Sequence, residues 1–463
     1  MVGSHSRSRR TTSSQQRALI HIWSSHRGHR AHREAKRRHH LFSVISVFSV
    51  AKKHKRMYQQ IQAYLQPRFP EYVEMLRHMV AINSFTANPH GVNALGELTA
   101  MAFESLGFSA QSIPSANPAH GAHLVLTRKG RARCTVGLVS HLDTVFSDEE
   151  ERANEFHWRV EKDRLYGPGT VDIKGGTVMI HMVLAALRDV APDVFDNTTW
   201  VVLLNAAEEV MADDFGALCL QQLGDDAVAC LVFEGGRWAD GECSLVAARK
   251  GRAMFRITAE GRAAHAGNQH GRGANAVVAL AQVVQQVADL TDYDRQLTFN
   301  VGRIEGGTVA NRVPHHAEAL VEMRAFAPDV FADGVQRMLA LSGPSDVGST
   351  RGDFQCQITV ELLAQTQPWA RNPITDRLLT IWHAAAVPMG ITVVSEERGG
   401  LSDGNWVWQH VPTIDGLGPS GGNMHCSERS ADGSKDQEYA FASTFVPKAT
   451  LNTAALLRLL RED

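Results

Sequence analysis

The chain has 463 residues, 44% of them hydrophobic, and a formal net charge of −2. This length favours two domains, or one domain with a large insertion, over a single small domain. The near-neutral total hides an asymmetry, because residues 1–56 hold 14 of the 47 lysines and arginines but only Glu34 of the 49 acidic residues. The remaining residues therefore carry a net charge of −15, which argues against a nucleic-acid-binding core.

The basic segment 1–56 has no sustained amphipathic period, so we expect a disordered extension. Its apolar run "LFSVISVFSV" at 41–50 could be mistaken for the core of a secretory signal. The basic stretch before it is too long for that, however, and "KKHKR" follows where translocation disfavours positive charge. No apolar run is long enough to span a bilayer, and the six scattered cysteines include no CxxC pair. We therefore expect a cytoplasmic protein that does not act at a membrane.

The segment 57–249 reads as the first part of an α/β catalytic domain. It opens with a helical pattern that Pro67 and Pro70 should break into two pieces. Continuous apolar runs such as "CTVGLVSHLD", "TTWVVLLNAAEE" and "ACLVFEGG" then alternate with helical segments. That alternation predicts a mixed, mostly parallel sheet covered by helices.

The pattern changes at about residue 250. The runs "RAMFRITAEG" and "HAEALVEMRAF" alternate polar and apolar residues, as strands with one solvated face do. The order β-α-β-β-α-β over 250–367 predicts an inserted α+β ferredoxin-like lid. Long helices and apolar strands return over 368–463, which we interpret as the second part of the catalytic domain.

Polar side chains follow the apolar strands or lie in glycine-rich loops. Open α/β sheets bind their ligands at the carboxyl ends of strands, so these residues should lie together. They are His141, Asp143, Asp172, Glu208, Glu209, Glu234 and His425.

Each of these motifs also has an ordinary explanation. His141 and Asp143 could be a solvated strand end, and the loop "GPGTVDIKGG" could bind phosphate, although it lacks GK[ST] and has an acidic centre. An "EE" pair is usually solvated, but Glu208 and Glu209 end a buried strand. Several carboxylates at such positions are costly unless a cation lies among them.

A pair of divalent metal ions explains the cluster as a whole. Zinc accepts histidine nitrogen and carboxylate oxygen, and Co²⁺ and Mn²⁺ are alternatives. In this hypothesis Asp172 bridges the two ions, His141 and Glu234 complete one site, and Glu209 and His425 complete the other. The charge then balances, with two divalent cations against three carboxylates and one hydroxide.

Two carboxylates are left for other roles. Asp143 should accept the remaining N–H of His141, because residues i and i+2 of a strand point to the same side. Glu208 lies next to a ligand without being needed as one, so it is a plausible general base.

From residue 58 to the C-terminus the chain resembles the co-catalytic dizinc exopeptidases and deacylases, which include glutamate carboxypeptidase, acetylornithine deacetylase and succinyl-diaminopimelate desuccinylase. The motifs "SHLDTV", "GPGTVDIKGG", "AAEE", "FEGG", "GRAAHAGNQHGRGANAV" and "GGTVANRVP" match in order and spacing. The resemblance implies the same ligand assignment, with a cis peptide after Asp172.

The resemblance also implies residues that contact substrate. His265 would contact the scissile carbonyl, often across a dimer interface, and Asn311 and Arg324 would bind a substrate carboxylate. The turn "GGLSDGN", which contains Gly400, would line the pocket. His265 could instead be an ordinary turn histidine, and Arg324 a surface strand residue.

The chain departs from the family's usual pattern at two places. The "EE" pair continues as "VMADDFG", so Asp213 and Asp214 could add charge to the pocket. Cys426 directly follows His425, but its thiol is not needed as a ligand.

These observations predict a dinuclear metal hydrolase that cleaves an amide bond next to a carboxylate-bearing residue, with a small peptide or N-acyl amino acid as substrate. A homodimer through the lid is implied by the resemblance alone. The first alternative is an N-acyl amino acid deacylase of the same family. The second is an inactive metal-binding interaction protein tethered through the basic arm.

Overall fold

The computed structural model describes residues 56–210 and 214–461. The expected disorder of the basic extension, the apolar run at 41–50 and Asp213 all fall outside the described residues. Among the residues that are described, no helix combines the length and apolar character needed to cross a bilayer.

Helices and strands alternate over most of the described chain. The helices are α1 (56–80), α2 (Pro89–Glu104), α3 (Asp148–Ala153), α4 (Lys174–Val190), α5 (Pro192–Asn197), α6 (Asp214–Leu223), α7 (Ala276–Asp289), α8 (Pro328–Leu339), α9 (Pro373–Ala386), α10 (Gly404–Val407) and α11 (Ala442–Leu459). The strands are β1 (Ser109–Pro114), β2 (Ala122–Arg128), β3 (Thr135–His141), β4 (Arg159–Glu161), β5 (Arg164–Tyr166), β6 (Thr199–Asn205), β7 (Ala227–Val232), β8 (Trp238–Ala239), β9 (Glu242–Arg249), β10 (Gly251–Glu260), β11 (Thr298–Gly306), β12 (His316–Ala325), β13 (Gly343–Gly348), β14 (Gln355–Thr366), β15 (Thr392–Arg398), β16 (Thr413–Ile414), β17 (Gly421–Gly422) and β18 (Tyr439–Phe441).

The predicted break in α1 is wrong, because the helix continues through Pro67 and Pro70. A proline inside a helix removes one backbone hydrogen bond and costs about 3 kcal/mol. Ile61, Leu65 and Leu76 are fully buried along one face of this helix. Burying such side chains stabilises the helix by about 1.5–3 kcal/mol each, which offsets the local cost.

The central sheet has the strand order β1-β2-β6-β3-β7-β16. Strands β6, β3, β7 and β16 are parallel to one another, while β2 is antiparallel to both β6 and β1 at the edge of the sheet. Every residue of β3 is buried, as expected for a strand with helices on both faces of its sheet. The mixed, mostly parallel α/β sheet predicted from the sequence is confirmed.

A second sheet has the order β11-β12-β10-β14-β13 and is antiparallel throughout. Burial alternates along β10 and β12, so the sheet packs one face on an apolar core shared with α7 and α8 and leaves the other face open. Its four main strands and two helices follow the expected ferredoxin-like order, and β13 is an additional edge strand. All of them lie within the predicted lid 250–367, but contacts join residues 60 onward into one compact unit, so the lid boundaries stay a prediction.

Two smaller sheets complete the structure. One has the order β15-β9-β8, in which β15 and β9 are parallel, and the other is the antiparallel sheet β17-β18-β5-β4. The parallel pair is important for the site, because both of its strands end beside the same cavity as the central sheet does.

Candidate metal centre and active site

The carboxyl ends of three parallel strands place the acidic residues side by side. His141 ends β3 and stands in register with Asn205, the last residue of β6. The turn Glu208–Val210 follows β6, and Glu234 comes two residues after the end of β7. The sequence prediction placed these side chains at one sheet edge, and the structure does bring them together.

One half of the cluster is built around His141. Its Nε2 atom lies 3.1 Å from Oδ1 of Asp172 and 3.7 Å from Oε1 of Glu234. The other half is built around His425, whose Nε2 lies 3.2 Å from both Oδ2 of Asp172 and Oε2 of Glu209. Asp172 therefore points one oxygen at each histidine, which is the arrangement expected of a carboxylate shared by two metal ions.

The cluster carries more negative charge than its own histidines can balance easily. Burial raises the pKa of Glu234 well above its usual range, and burial also raises the pKa of Glu209. Burial alone would raise the pKa of Asp172, but hydrogen bonds from His141 and His425 outweigh it and hold that pKa below its usual range. The same contacts with Asp172 and Glu209 raise the pKa of His425 to about 11.

The donor set fits divalent metal ions. Ligand atoms of His141, Asp172 and Glu209 all lie within 4.8 Å of one another. Imidazole nitrogen and carboxylate oxygen are the ligands that Zn²⁺ takes, and a divalent cation would relieve the mutual repulsion of the carboxylates.

Asp143 is placed differently from the prediction. The nearest acceptor to Nδ1 of His141 is the backbone carbonyl of Asp143, at 3.0 Å, and the Asp143 carboxylate is farther away, at 3.4 Å. That carboxylate accepts hydrogen bonds from the hydroxyl of Thr86 and from the backbone amides of Glu208 and Glu209. Asp143 thus orients the histidine mainly through its carbonyl oxygen, while its side chain fixes the turn that carries the two glutamates.

Glu208 lines the same cavity as the metal-binding group. Burial raises the pKa of its carboxyl well above the usual range; the nearby His141 opposes this rise, and the charge of Glu234 adds to it. A carboxyl group with a raised pKa is suited to accept and return a proton near neutral pH.

The loop that carries Asp172 is held by a carboxylate that the sequence analysis missed. Oε1 of the buried Glu438 accepts the backbone N–H groups of Val171 and Asp172, at 3.0 and 3.2 Å. These two amides are therefore already bound to a carboxylate, which argues against the phosphate-loop alternative. The peptide bond between Asp172 and Ile173 is cis, as the resemblance implied.

Four arginines line the same cavity as the acidic residues, and this cavity has a volume of about 470 Å³. Arg249 and Arg398 are register partners at the ends of the parallel strands β9 and β15. Arg252 and Arg324 are register partners across the antiparallel strands β10 and β12. We call this set the arginine wall, and we call the group His141, Asp172, Glu209, Glu234 and His425 the acidic wall.

Each arginine of the wall has an acidic partner. Arg249 donates from Nε to Oδ2 of the buried Asp415 at 2.7 Å. Oxygens of Glu322 lie 2.9 Å from Nε of Arg252 and 2.6 Å from Nε of Arg324, and Arg398 pairs with Glu396 at 3.2 Å. Like charges at register positions repel, so these partners allow the arginines to stand next to each other.

Comparison with known proteins identifies the family. The model of peptidase family M20/M25/M40 matches residues 137–446, which is more than half of the chain. The chain belongs to this family.

Sequence relatives and solved structures agree with that assignment. The chain is 28% identical to carboxypeptidase G2 of Pseudomonas sp. (strain RS-16) over 77% of this chain and 83% of that protein. It is 26% identical to acetylornithine deacetylase of Klebsiella pneumoniae (strain 342), over 55% of this chain and 68% of that one. The crystal structure of aminopeptidase PepT from Bacillus cereus ATCC 10987 shares the fold, with a TM-score of 0.66 at 20% identity over 84% of this chain and 98% of that one.

Membership in the M20/M25/M40 family has direct consequences. The chain is a hydrolytic enzyme of a metallopeptidase family, as the sequence resemblance predicted. The family is metal-dependent, typically with two divalent ions, and three residues of the acidic wall, His141, Asp172 and Glu209, form a group that could hold a metal ion.

The sequence analysis identified only Arg324 of the arginine wall. Arg249 ends the buried strand β9 in "SLVAARKG", just as His141 ends β3. A search for cations at the ends of buried strands, made by the rule used for the carboxylates, would have found Arg249 but not Arg398, because β15 is only partly buried. Arg252 gives no such signal, because it looks like an ordinary residue on the solvated face of a strand.

The predicted substrate-contacting residues divide into two groups. Arg324 and Gly400 line the cavity, and the carbonyl oxygen of Gly400 accepts a hydrogen bond from Arg249 at 3.0 Å. His265 and Asn311 are exposed and do not line this cavity. Nδ1 of His265 accepts the backbone amides of Gly267 and Asn268, each at 3.1 Å.

Two described residues at the departures from the family's usual sequence, Asp214 and Cys426, are not among the residues that could hold a metal ion. We expected that Asp214 could add charge to the pocket, but it does not line the cavity. Its carboxylate contacts Ser115, the amide of Ala116 and Nε2 of the buried His123, at 2.6–3.2 Å. The thiol of Cys426 faces the carbonyl oxygen of Glu428 at 3.7 Å, and it is not part of the metal-binding group.

Proposed function

We propose that this protein is a dinuclear metal-dependent hydrolase that cleaves an amide bond next to a carboxylate-bearing residue, in the manner of a glutamate carboxypeptidase. The observation that carries the proposal is the cavity itself, which is lined both by residues of the acidic wall and by the four arginines of the arginine wall. One wall suits the reaction, and the other suits an anionic group on the substrate.

The acidic wall supplies the metal ligands. Asp172 would bridge two divalent ions, with His141 and Glu234 on one and Glu209 and His425 on the other. Zn²⁺ is the expected metal, and Co²⁺ or Mn²⁺ are possible alternatives. When bound, such ions polarise a carbonyl group and make a water molecule more acidic.

Glu208 is the proposed general base. Its carboxylate takes a proton from the attacking water, and water oxygen forms the new bond to the amide carbon. As the carbon–nitrogen bond breaks, Glu208 gives the proton to the leaving nitrogen, so the products are a carboxylic acid and an amine. Asp143 serves this step indirectly, because its carboxylate fixes the backbone amides of Glu208 and Glu209.

The arginine wall is proposed to bind the substrate carboxylate. Arg324 is the predicted contact, and a guanidinium group can donate two parallel hydrogen bonds to a carboxylate. The neighbouring Arg252 and Arg398 add positive charge, which favours an acidic residue such as glutamate as the leaving amino acid.

Metal analysis combined with a substrate panel tests this proposal. We expect two divalent ions per chain and hydrolysis of peptides or N-acyl derivatives with a terminal glutamate, scored by kcat/KM. The same substrates with an amidated carboxyl group should be at least tenfold poorer, because the charge-assisted contact is lost. Purified protein that binds no metal and hydrolyses none of these substrates would refute our proposal. It would also refute the inactive alternative, because that alternative requires bound metal.

N-acyl amino acid deacylation is the second candidate function. It needs the same metals and the same carboxylate contact, and the similarity to an acetylornithine deacetylase favours it. The panel separates the two, since a deacylase would prefer short N-acyl amino acids to dipeptides with the same C-terminal residue.

We propose a homodimer formed through the lid, in which His265 and Asn311 of one chain serve the cavity of the partner. Both are exposed and away from the cavity of their own chain. Strand β11 is an edge strand with an exposed Ile304, which suits pairing with a second copy. A fully active monomer in sedimentation velocity would refute the dimer.

We also propose a cytoplasmic location. All six cysteines lie in the described residues and none forms a disulfide, as expected in a reducing compartment. Fractionation of the native source, followed by immunoblotting, tests this directly.

A further inference from the structure

Four successive backbone amides, those of residues 206–209, each donate a hydrogen bond to a buried side chain. The last two donate to the carboxylate of Asp143, at 3.0 and 3.2 Å. The second donates to Oδ1 of Asn205 at 3.0 Å, and the first donates to Nδ1 of His123 at 3.1 Å. This short segment carries the proposed general base and one proposed metal ligand, so its backbone position decides where both carboxylates lie.

The segment 206–209 is held from the two strands that flank β6. Strand β6 leads into the segment and lies between β2 and β3 in the central sheet. Asp143 comes two residues after the end of β3. His123 is the second residue of β2, next to Leu124, the register partner of Leu204 on β6. The Asp143 carboxylate therefore reaches the segment from one side, and the His123 imidazole reaches it from the other.

Asp214 fixes the tautomer of His123. Because Nδ1 accepts an N–H group, it carries no proton, and the proton of the neutral ring is on Nε2. Nε2 lies 3.2 Å from Oδ2 of Asp214, the same oxygen that accepts the amide of Ala116 at 2.6 Å. An ionised carboxylate can only accept, so Asp214 keeps the proton on Nε2 and leaves Nδ1 available to the amide of Ala206.

The His123 ring has a second role in packing. It contacts the ring of Phe215, with the two centroids 5.2 Å apart, and it is 1% exposed. An apolar side chain could keep much of that packing, but it would leave the buried amide of Ala206 without an acceptor. Unpaired buried amides are costly, so the segment would move to find another partner.

We propose that His123 is a positioning residue for the reaction, and that Asp214 holds its ring in the tautomer that this role requires. This inference rests on the proposed function, in which Glu208 is the general base and Glu209 binds one of two metal ions. His123 and Asp214 do not line the cavity, so they act through the backbone of segment 206–209. A misplacement of about 1 Å at reacting groups can cost about 10²-fold in rate, so a small shift of this segment matters.

Two substitutions at His123 separate the hydrogen bond from the packing. His123→Leu removes the acceptor, so kcat should fall by about 10- to 100-fold. KM should change less than about threefold, because the arginines proposed to bind substrate lie on other strands. His123→Asn places an amide oxygen where Nδ1 stood, so it should restore most of kcat although it also loses the contact with Phe215. The assay uses the metal-loaded enzyme and its best substrate among the peptides and N-acyl derivatives with a terminal glutamate.

The urea midpoints of both variants complete this test. If kcat falls equally in His123→Leu and His123→Asn, or only in proportion to the loss of stability, the role of His123 is structural and the inference is overturned. Asp214→Ala changes a side chain that is 25% exposed, so it threatens folding less. It should lower kcat by about three- to tenfold, since His123 can then adopt either tautomer. An unchanged kcat would remove Asp214 from the proposal.

His181→Leu is the matched control. His181 is also a buried histidine in contact with an aromatic ring, since its centroid lies 5.1 Å from that of Phe103. It has no contact with segment 206–209 among the described hydrogen bonds. We expect this control to lower the urea midpoint and to leave kcat unchanged. A fall in kcat equal to that of His123→Leu would show that the loss of any buried histidine slows the enzyme, and the inference would fail.

Co²⁺ binding separates this inference from the proposed function. Because Glu209 is a proposed ligand of one ion only, metal-free His123→Leu should bind one Co²⁺ ion about tenfold more weakly and the other normally. His123→Asn should bind both ions as the unchanged protein does, and visible absorption follows each titration. This pattern with no turnover in the unchanged protein would refute the proposed hydrolase and support the positioning role. Turnover in the unchanged protein, with equal kcat and equal Co²⁺ affinities in all variants, would do the opposite.

Discussion

The two walls of the catalytic cavity are built from charged residues in opposite ways. On the arginine wall, Arg249 pairs with Asp415, and Glu322 lies between Arg252 and Arg324. On the acidic wall the carboxylates face one another and two histidines, and burial raises the pKa of Glu234 and Glu209. Each arginine of the arginine wall thus has a carboxylate partner, whereas the ion pairs of the acidic wall in the described part of the chain are made with its own two histidines.

This difference explains how one cavity can serve both binding and reaction. Side chains that are already paired keep their geometry before substrate arrives, so the arginine wall is preorganised for an anion. Within the described residues, the carboxylates of the acidic wall make their ion pairs with histidines, so divalent ions would supply the further positive charge that favours a metal-loaded state. Variants on either wall should therefore have different consequences, which the following predictions describe from the largest to the smallest.

Glu208→Gln should have the largest effect. The amide cannot accept the proton from water, so kcat should fall by about 10²–10⁴-fold. The variant should still bind two metal ions, because Glu208 is not one of the proposed ligands. Stopped assays together with metal analysis check both expectations, and unchanged turnover would remove Glu208 from the mechanism.

Arg249→Met tests whether the positive charge of the arginine wall is balanced by carboxylates of the same chain. It leaves the buried Asp415 without its guanidinium partner, and breaking a buried ion pair in this way costs about 3–5 kcal/mol of unfolding free energy. Urea unfolding measures the loss, and adding Asp415→Asn in the same chain should restore part of it.

Arg398→Met is the control for that variant. Its pair with Glu396 is partly exposed, so the cost should stay below about 1 kcal/mol. Equal losses for Arg249→Met and Arg398→Met would show that burial of the Arg249 pair does not matter.

His181 provides a pH reference outside both walls. It packs against the rings of Phe103 and Tyr72, and burial lowers its pKa to about 4. An unfolded histidine titrates near 6.5, so the unfolded chain binds more protons between these values. The contribution of neutral His181 to the free energy of unfolding is therefore fully present above about pH 6.5. Up to about 3 kcal/mol of that free energy is lost as the pH falls to about 4.

Urea unfolding at pH 7.5 and 4.5, in the presence of a chelator, measures that loss. His181→Met cannot take up the proton, so it should lose less stability on acidification than the unchanged protein. Identical pH dependence in both proteins would place the acid sensitivity elsewhere, with the acidic wall as the first region to examine.

Of the four predicted effects, that of Arg324→Lys should be the smallest. Lysine keeps the charge but loses the forked geometry, so kcat/KM for carboxylate-bearing substrates should fall by about 10- to 100-fold. Arg256→Lys is the control, because Arg256 also pairs with glutamates on the open face of the second sheet but does not line the cavity. An equal loss in both variants would show that the effect comes from the sheet and not from the substrate contact.

The acidic wall could be predicted from the sequence because its signal is local. Ionisable residues mark the ends of buried strands at His141, the last residue of β3, and at Glu234, two residues after β7, and parallel strands bring their carboxyl ends to one edge. The fold class followed from the alternation of apolar runs with helices. Both predictions depended only on the position of each residue within its own strand or helix, which the sequence shows directly.

The parts that the sequence did not reveal depend on contacts between distant segments. Arg252 stands beside Arg324 only because β10 pairs with β12 in one register, and Arg249 stands beside Arg398 only because β9 pairs with β15 in another. The helix α1 continues through Pro67 because its buried face is held by packing. Local pattern sets which residues end a strand or face a core, whereas strand register, bulges and burial depend on the whole chain and are decided only when the tertiary structure forms.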